Sequence, residues 1–294
     1  MRFDVGRGIE LHGVEAGSGP PVILCHGFPE LWWSWRHQLP ALSAAGYRPI
    51  ALDMRGYGLS SAPDADDAYD AVELAQDVIG VIDALGEEQA VVAGHDWGAV
   101  VAWTAAGLHP DRVRGVVGMS VPATPRPPAP PAGLFREHMG EDFYFLWMAR
   151  PETPALLGKD VRRTLATTKV WNAEWAAQEG DDPPTPPFMT DADLQVYVDA
   201  FERTGFENPL RWYRNLDRTW ERTADAPPTI DVPAAFIAGE RDPVGAWMPA
   251  QVMDGLVTDL RLSVTVPGAG HWVQQERPAE VNAALIEFLA GLDA

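Results

Sequence analysis

Short apolar runs that stop abruptly at loop residues recur along this chain, and their alternation with helical periodicity constrains its fold more than any other feature. Pro21–Cys25 reads PVILC and ends in His26-Gly27; Arg48–Leu52 ends at Asp53; residues 89–93, QAVVA, end at Gly94. Val113–Met119, residues 234–238 and residues 262–266 repeat the pattern. Each run has strand length. Between them, Ala71–Leu85 sets Val72, Ala75, Val78, Ile79 and Ile82 at helical spacing. Residues 99–108 follow Gly98 and precede Pro110, and residues 278–289 start at a proline and align Val281, Leu285, Phe288 and Leu289. Strands alternating with helices predict an α/β fold with a mostly parallel sheet.

The alternation is interrupted once. Residues 121–131 read VPATPRPPAPP, a stiff connector, and from Gly133 to about Arg222 strand runs give way to helical patterns, tryptophans and a Pro-rich loop at 181–187. Thr190-Asp-Ala-Asp193 reads as a helix start before an apolar stripe of Leu194, Tyr197, Val198 and Phe201. Asn208-Pro209 reads as a second start, with Asn208 capping. The expected organisation is a core of residues 1–122 and 223–294 with a helical lid inserted at 123–222.

Charge narrows the partners. Lys plus Arg number 22 against 42 Asp plus Glu, a net charge of −20. That field repels nucleic-acid backbones and anionic lipid, so neither is an expected partner; its plainest consequence is solubility. The single cysteine, Cys25, excludes an internal disulfide and multi-cysteine metal sites, and its place at the end of an apolar run predicts a buried thiol. Residues 1–10 show no apolar signal-peptide region, and no uncharged apolar run approaches the roughly 18–20 residues of a membrane span, so a cytoplasmic protein is expected.

Gly94-His95-Asp96-Trp97-Gly98 lies between a predicted strand and a predicted helix. Small residues on both sides of Asp96 allow a sharp turn that lifts its side chain above the sheet, the G-x-S-x-G elbow with Asp in place of Ser. The helix N-terminus favours an anion there, and a carboxylate is ionised at neutral pH without a base. The exchange changes the chemistry. Serine attacking an sp3 carbon would leave an ether, whereas a carboxylate leaves an ester that water can cleave at the carbonyl. Alone, the segment equally suits an aspartate capping the next helix. Asp242 and His271 each follow a predicted strand, where open α/β sheets place their sites, and the order Asp96, Asp242, His271 is nucleophile, acid, histidine. His271 would activate water, and Asp242 would orient the imidazole. The N–H groups of Phe28 and Trp97 form a candidate oxyanion hole. Trp97 and Trp272 are expected to wall a substrate pocket, and His26 to shape its loop. His12, His37, His95, His109 and His138 are expected to be structural or solvated.

HGFPE at 26–30, SWRHQLPAL at 34–42, DMRGYGLSSAP at 53–63, GHDWG at 94–98, RWYRNLDRTW at 211–220, GERDPV at 239–244 and GAGHWVQQERP at 268–278 together resemble the epoxide hydrolases of the α/β-hydrolase superfamily. GHDWG by itself is shared with haloalkane dehalogenases. The resemblance implies two lid tyrosines that hold the epoxide oxygen. Tyr213 matches one directly, and Tyr144 is the best match for the other. Tyr197 competes, but its apolar stripe suggests packing, as the core positions of Tyr47, Tyr57 and Tyr69 do. The implied reaction joins Asp96 to a small lipophilic epoxide, and His271-activated water then releases a vicinal diol, with no cofactor and no metal. Homodimers occur in the family. The alternatives are a haloalkane or haloacid dehalogenase with the same Asp nucleophile and a hydrolase-fold binding protein without turnover. An ordinary esterase is disfavoured because Ser60 and Ser120 stand in no elbow.

Overall fold

A computed structural model describes residues 1–167, 172–177 and 183–293. Its strands are β1 (Arg2–Asp4), β2 (Glu10–Glu15), β3 (Pro21–Cys25), β4 (Arg48–Leu52), β5 (Ala90–His95), β6 (Val113–Met119), β7 (Ala234–Gly239) and β8 (Leu260–Val266). They form one sheet in the order β1-β2-β4-β3-β5-β6-β7-β8. β1, β2 and β4 pair antiparallel, and every pair from β4 to β8 is parallel. The expected runs became the parallel strands. β1 and β2 were not foreseen: they are short and form an edge, and their burial alternates, so they carry no apolar run.

The helices of the α/β layers are α1 (Gln38–Ala44), α2 (Ala71–Leu85) and α3 (Trp97–Leu108). Between β6 and β7 lie α4 (Pro131–Met139), α5 (Tyr144–Met148), α6 (Thr153–Leu157), α7 (Val161–Ala166), α8 (Ala173–Ala177), α9 (Asp191–Thr204), α10 (Glu207–Arg214) and α11 (Leu216–Arg222). α12 (Val244–Trp247), α13 (Val273–Glu276) and α14 (Pro278–Asp293) complete the chain. Alternate strand residues feed two cores. Val22, Leu24, Val91 and Ala93 pack with Leu42, Leu285 and Phe288, while Ile23, Cys25 and Val92 pack with Val78, Ile82 and Val101. Helices thus cover both faces, and every residue of β3 and β5 is buried. Cys25 is among them, and burial pushes its thiol up to about 12, which leaves it inert at neutral pH.

Among the described residues, the segment between β6 and β7 is helical. α9 starts as expected, with a reciprocal capping box between Thr190 and Asp193, and buries Leu194, Tyr197, Val198 and Phe201. The reading of Asn208 as a cap is corrected: α10 starts earlier, with Phe206 at its N-cap. Asn208 Oδ1 instead accepts from the Tyr69 hydroxyl at 3.2 Å, a tertiary contact that local spacing does not reveal. Of the expected loop at 181–187, Asp181 and Asp182 lie outside the described residues; 183–186 have no regular structure.

Polar contacts fasten this helical segment to the rest. Trp33 Nε1 donates to Asp193 at 2.9 Å, and Trp212 Nε1 donates to the Arg55 carbonyl at 3.2 Å. Arg218 and Arg222 reach the buried carboxylate of Asp70 at 2.9 and 2.8 Å. Asp70 also caps α2 through the N–H groups of Val72 and Glu73, both at 3.0 Å.

Candidate active site

Backbone crowding explains the elbow. A Cβ on Gly94 would stand 2.0 Å from the Gly98 carbonyl oxygen, and one on Gly98 would stand 2.1 Å from that of Cys25. Only glycine permits β5 to turn this tightly into α3. Asp96 sits between them at φ 54° and ψ −121°, a region that disfavours side chains, and such a residue costs on the order of 1–3 kcal/mol. Its carbonyl accepts from Ala99 and Val100, so the backbone enters the helix at once while the carboxylate stands clear of it.

The Asp96 carboxylate has two differently engaged oxygens. Oδ1 accepts the Phe28 N–H at 2.9 Å, and Oδ2 lies 3.5 Å from His271 Nε2. Trp97 is the first residue of α3, so its N–H has no intrahelical acceptor and belongs to the positive end of the helix. His271 Nδ1 lies 3.2 Å from both oxygens of Asp242, whose carboxylate is buried and also accepts the Val244 N–H at 3.0 Å. β7 ends at Gly239 and β8 at Val266, so Asp242 and His271 arrive from neighbouring parallel strand ends. The Asp96 and His271 side chains keep 18% and 17% of their surface open, enough to meet a ligand in an otherwise enclosed place.

Charge states follow from these contacts. Burial pushes the Asp96 carboxyl up, but the hydrogen bond and charge of His271, the charge of His95 and the Phe28 N–H outweigh it and hold it below its usual range. Asp242 is held low in the same way, with burial opposed chiefly by His271. Burial disfavours the His271 cation, yet its bonds to Asp242 and Asp96 and their charges raise it well above 6.5. The resting site is therefore two carboxylates flanking an imidazolium.

Tyr213, on α10, is 5% exposed, and Tyr144 opens α5 half-buried. Burial raises both hydroxyls well above 10, and the negative charge of Asp96 raises them further, so they remain donors at neutral pH. The Trp97 indole meets the Tyr213 ring edge-on at 5.0 Å, and Phe145 bridges Tyr144 at 4.6 Å and Tyr213 at 5.4 Å. Trp272 stands edge-on to His271 at 5.3 Å and stacks on Phe188 at 5.6 Å. A cavity beside it is lined by Pro29, Glu30, Leu165, Met189, Tyr197 and Trp272. Tyr197 donates to Gln275 at 3.4 Å, in keeping with a packing residue. His26 bonds the Gly27 carbonyl and the Met54 N–H, which shapes its loop as expected.

Sequence reasoning missed three groups. Of the two expectations for His95, structural or solvated, the structure gives the first. His95 is fully buried, 2.7 Å from Glu30 through Nδ1 and 2.7 Å from the His271 carbonyl through Nε2. Glu30 is itself buried, and the Ser120 hydroxyl donates to the same His271 carbonyl at 2.6 Å. The signal for Glu30 was a carboxylate closing the HGFPE loop beside tryptophans. His95 lay one residue before Asp96, at the last position of a fully buried strand.

Comparison with known proteins identifies the family. A family profile described as the alpha/beta hydrolase fold matches residues 20–278. Epoxide hydrolase A of Mycobacterium tuberculosis is 46% identical over 98% of this chain and 96% of its own length, and epoxide hydrolase 3 of Siraitia grosvenorii is 38% identical over 96% of each. The crystal structure of epoxide hydrolase A from Mycobacterium thermoresistibile superposes with a TM-score of 0.89 at 46% identity, covering 97% of this chain and 96% of that one. The chain belongs to the epoxide hydrolases of the α/β-hydrolase fold.

Proposed function

We propose that the protein hydrolyses small, lipophilic epoxides to vicinal diols in the cytoplasm through an ester on Asp96, with residues 123–222 as a lid over a core of residues 1–122 and 223–294. The observation that carries the reading is the pairing of a carboxylate in the elbow, faced by His271 and Asp242, with two tyrosine donors that feel its charge, Tyr213 buried and Tyr144 half-buried. Oδ1 is occupied by the Phe28 N–H, which leaves Oδ2 to attack an epoxide carbon. The C–O bond breaks as the new one forms, and Tyr213 and Tyr144 stabilise and protonate the departing oxygen.

Esterification removes the charge of Asp96, one of the two carboxylates that favour a proton on His271. His271 then gives up its proton, which returns through solvent to the tyrosinate left by ring opening, and becomes a base. It takes a proton from water while the hydroxide adds to the ester carbonyl carbon, and the N–H groups of Phe28 and Trp97 hold the oxyanion on Oδ1. Collapse releases the diol oxygen, which receives the proton from His271, and the Asp96 carboxyl then passes its remaining proton to His271, restoring the resting carboxylate and imidazolium. Asp242 keeps the imidazole oriented throughout. Trp97 and Trp272 wall the site, and the apolar lid favours neutral substrates.

Paired assays on styrene oxide and 1-chlorobutane test the reading. Phenylethanediol from the first, with no chloride from the second, is expected. Chloride release without diol would replace it with a dehalogenase, a reaction that needs no lid tyrosine.

A further inference from the structure

The two tyrosine donors are held unequally. Tyr213 is buried, and its ring lies edge-on against Trp97 at 5.0 Å and Phe28 at 5.7 Å, both rings of the core. Tyr144 is half-buried and opens α5, a helix of five residues. A helix that short has too few internal hydrogen bonds to hold itself rigid. Two of the rings against Tyr144, Phe143 at 5.0 Å and Phe145 at 4.6 Å, are its own chain neighbours and move with it. Among the described residues, the ring that meets Tyr144 from the core is Trp247. Trp247 closes α12, and its indole stands edge-on to Phe143, Tyr144 and Phe145 at 5.9, 6.1 and 6.3 Å, separations at which aromatic pairs attract. α12 is tied at its other end to the acid of the site. Asp242 Oδ1 accepts the Val244 N–H at 3.0 Å, and the Asp242 carbonyl accepts the Gly245 N–H at 3.1 Å. The Met248 N–H bonds the Val244 carbonyl at 2.8 Å and closes the turn.

We infer that Trp247 is a positioning residue for Tyr144: its indole, carried from the Asp242 loop on α12, props the Tyr144 ring from outside the lid and keeps its hydroxyl on the departing epoxide oxygen. Trp247 is 36% exposed, and among the described residues every ring it meets belongs to the lid. A large apolar side chain so placed adds little to the core of its own half; its contacts are spent on the seam with the other. The inference rests on the proposed cycle, in which Tyr144 acts in ring opening and not in ester hydrolysis. Trp247 should therefore influence the first half-reaction alone, and only through Tyr144. Truncating the indole leaves the backbone bonds of Asp242 and its contacts with His271 in place, because these lie at the opposite end of α12.

The test is a double-mutant cycle in the full chain, read by single-turnover kinetics with styrene oxide. Trp247→Ala should slow ring opening by about three- to tenfold, the fold-change that an aromatic pair can supply, and ester hydrolysis by less than about twofold. In a Tyr144→Phe background the same substitution should change ring opening by less than about twofold, because no hydroxyl is left to position. In a Tyr213→Phe background it should keep its full effect. Trp247→Phe, which retains a ring, should restore ring opening to within about twofold of the wild type. A merely structural loss would slow both half-reactions and would act equally in the two tyrosine backgrounds. That outcome, or ring opening unmoved by Trp247→Ala, overturns the inference. A wild type that forms no ester would instead overturn the catalytic cycle itself, and the inference with it.

Discussion

The two halves of the site are held by different means. Asp96, Asp242 and His271 follow the ends of β5, β7 and β8, parallel strands of one sheet, so the sheet fixes their separation. Tyr213 and Tyr144 stand on helices between β6 and β7, held by ring contacts and a few polar bonds to the core. The core half is built by backbone geometry, down to glycines that tolerate no Cβ; the lid half is built by packing. In the proposed cycle they have different work: the core half would form and break the ester, and the lid half would act on the leaving oxygen.

Removing a core group should therefore separate the half-reactions most sharply. His271→Gln is expected to slow ester hydrolysis by about 10³–10⁴-fold and ring opening by less than about tenfold, so that intact protein gains the mass of one substrate. Tyr213→Phe should do the reverse, slowing ring opening by about 10–100-fold and ester hydrolysis by less than about threefold, in rapid-quench experiments. Equal slowing of both steps by Tyr213→Phe would erase the division between the halves.

A subtler expectation concerns pH. The raised His271 contributes stability that is present below about 6.5 and lost as pH rises through its higher folded value. Asp96 and Asp242, held low, contribute stability present above the usual carboxylate range and lost as pH falls through their folded values. The cluster thus stabilises most between those limits. Asp96→Asn should lower the pH at which His271 gives up its proton, as read by NMR titration; an unchanged midpoint would show that Asp242 alone sets it. The smallest effect belongs to the fastening of the lid. Arg222→Ala should cost about 1 kcal/mol in urea unfolding, because its partner Asp70 is buried but keeps Arg218.

The core half was legible in the sequence because strand runs, glycines and chain order act locally and in series. Asp96, Asp242 and His271 could be named without knowing which strands were neighbours. Tyr213 and Tyr144 could not be separated from Tyr197 by periodicity, since tyrosines on amphipathic helices follow the same spacing whether they pack or react; family resemblance singled them out. Asn208 was misread because its partner, Tyr69, is remote in sequence. Glu30 and His95 escaped for a related reason. Each is ordinary in its own segment, and only the approach of β5 to the loop after β3 brings the two together behind His271.

The central claim is the covalent role of Asp96. A single turnover with excess enzyme in oxygen-18 water, followed by peptide mass analysis, reads it directly. The account predicts one heavy oxygen in the Asp96 carboxylate and an unlabelled first diol. A labelled diol with an unlabelled Asp96 would mean that water opens the ring directly, and would contradict it.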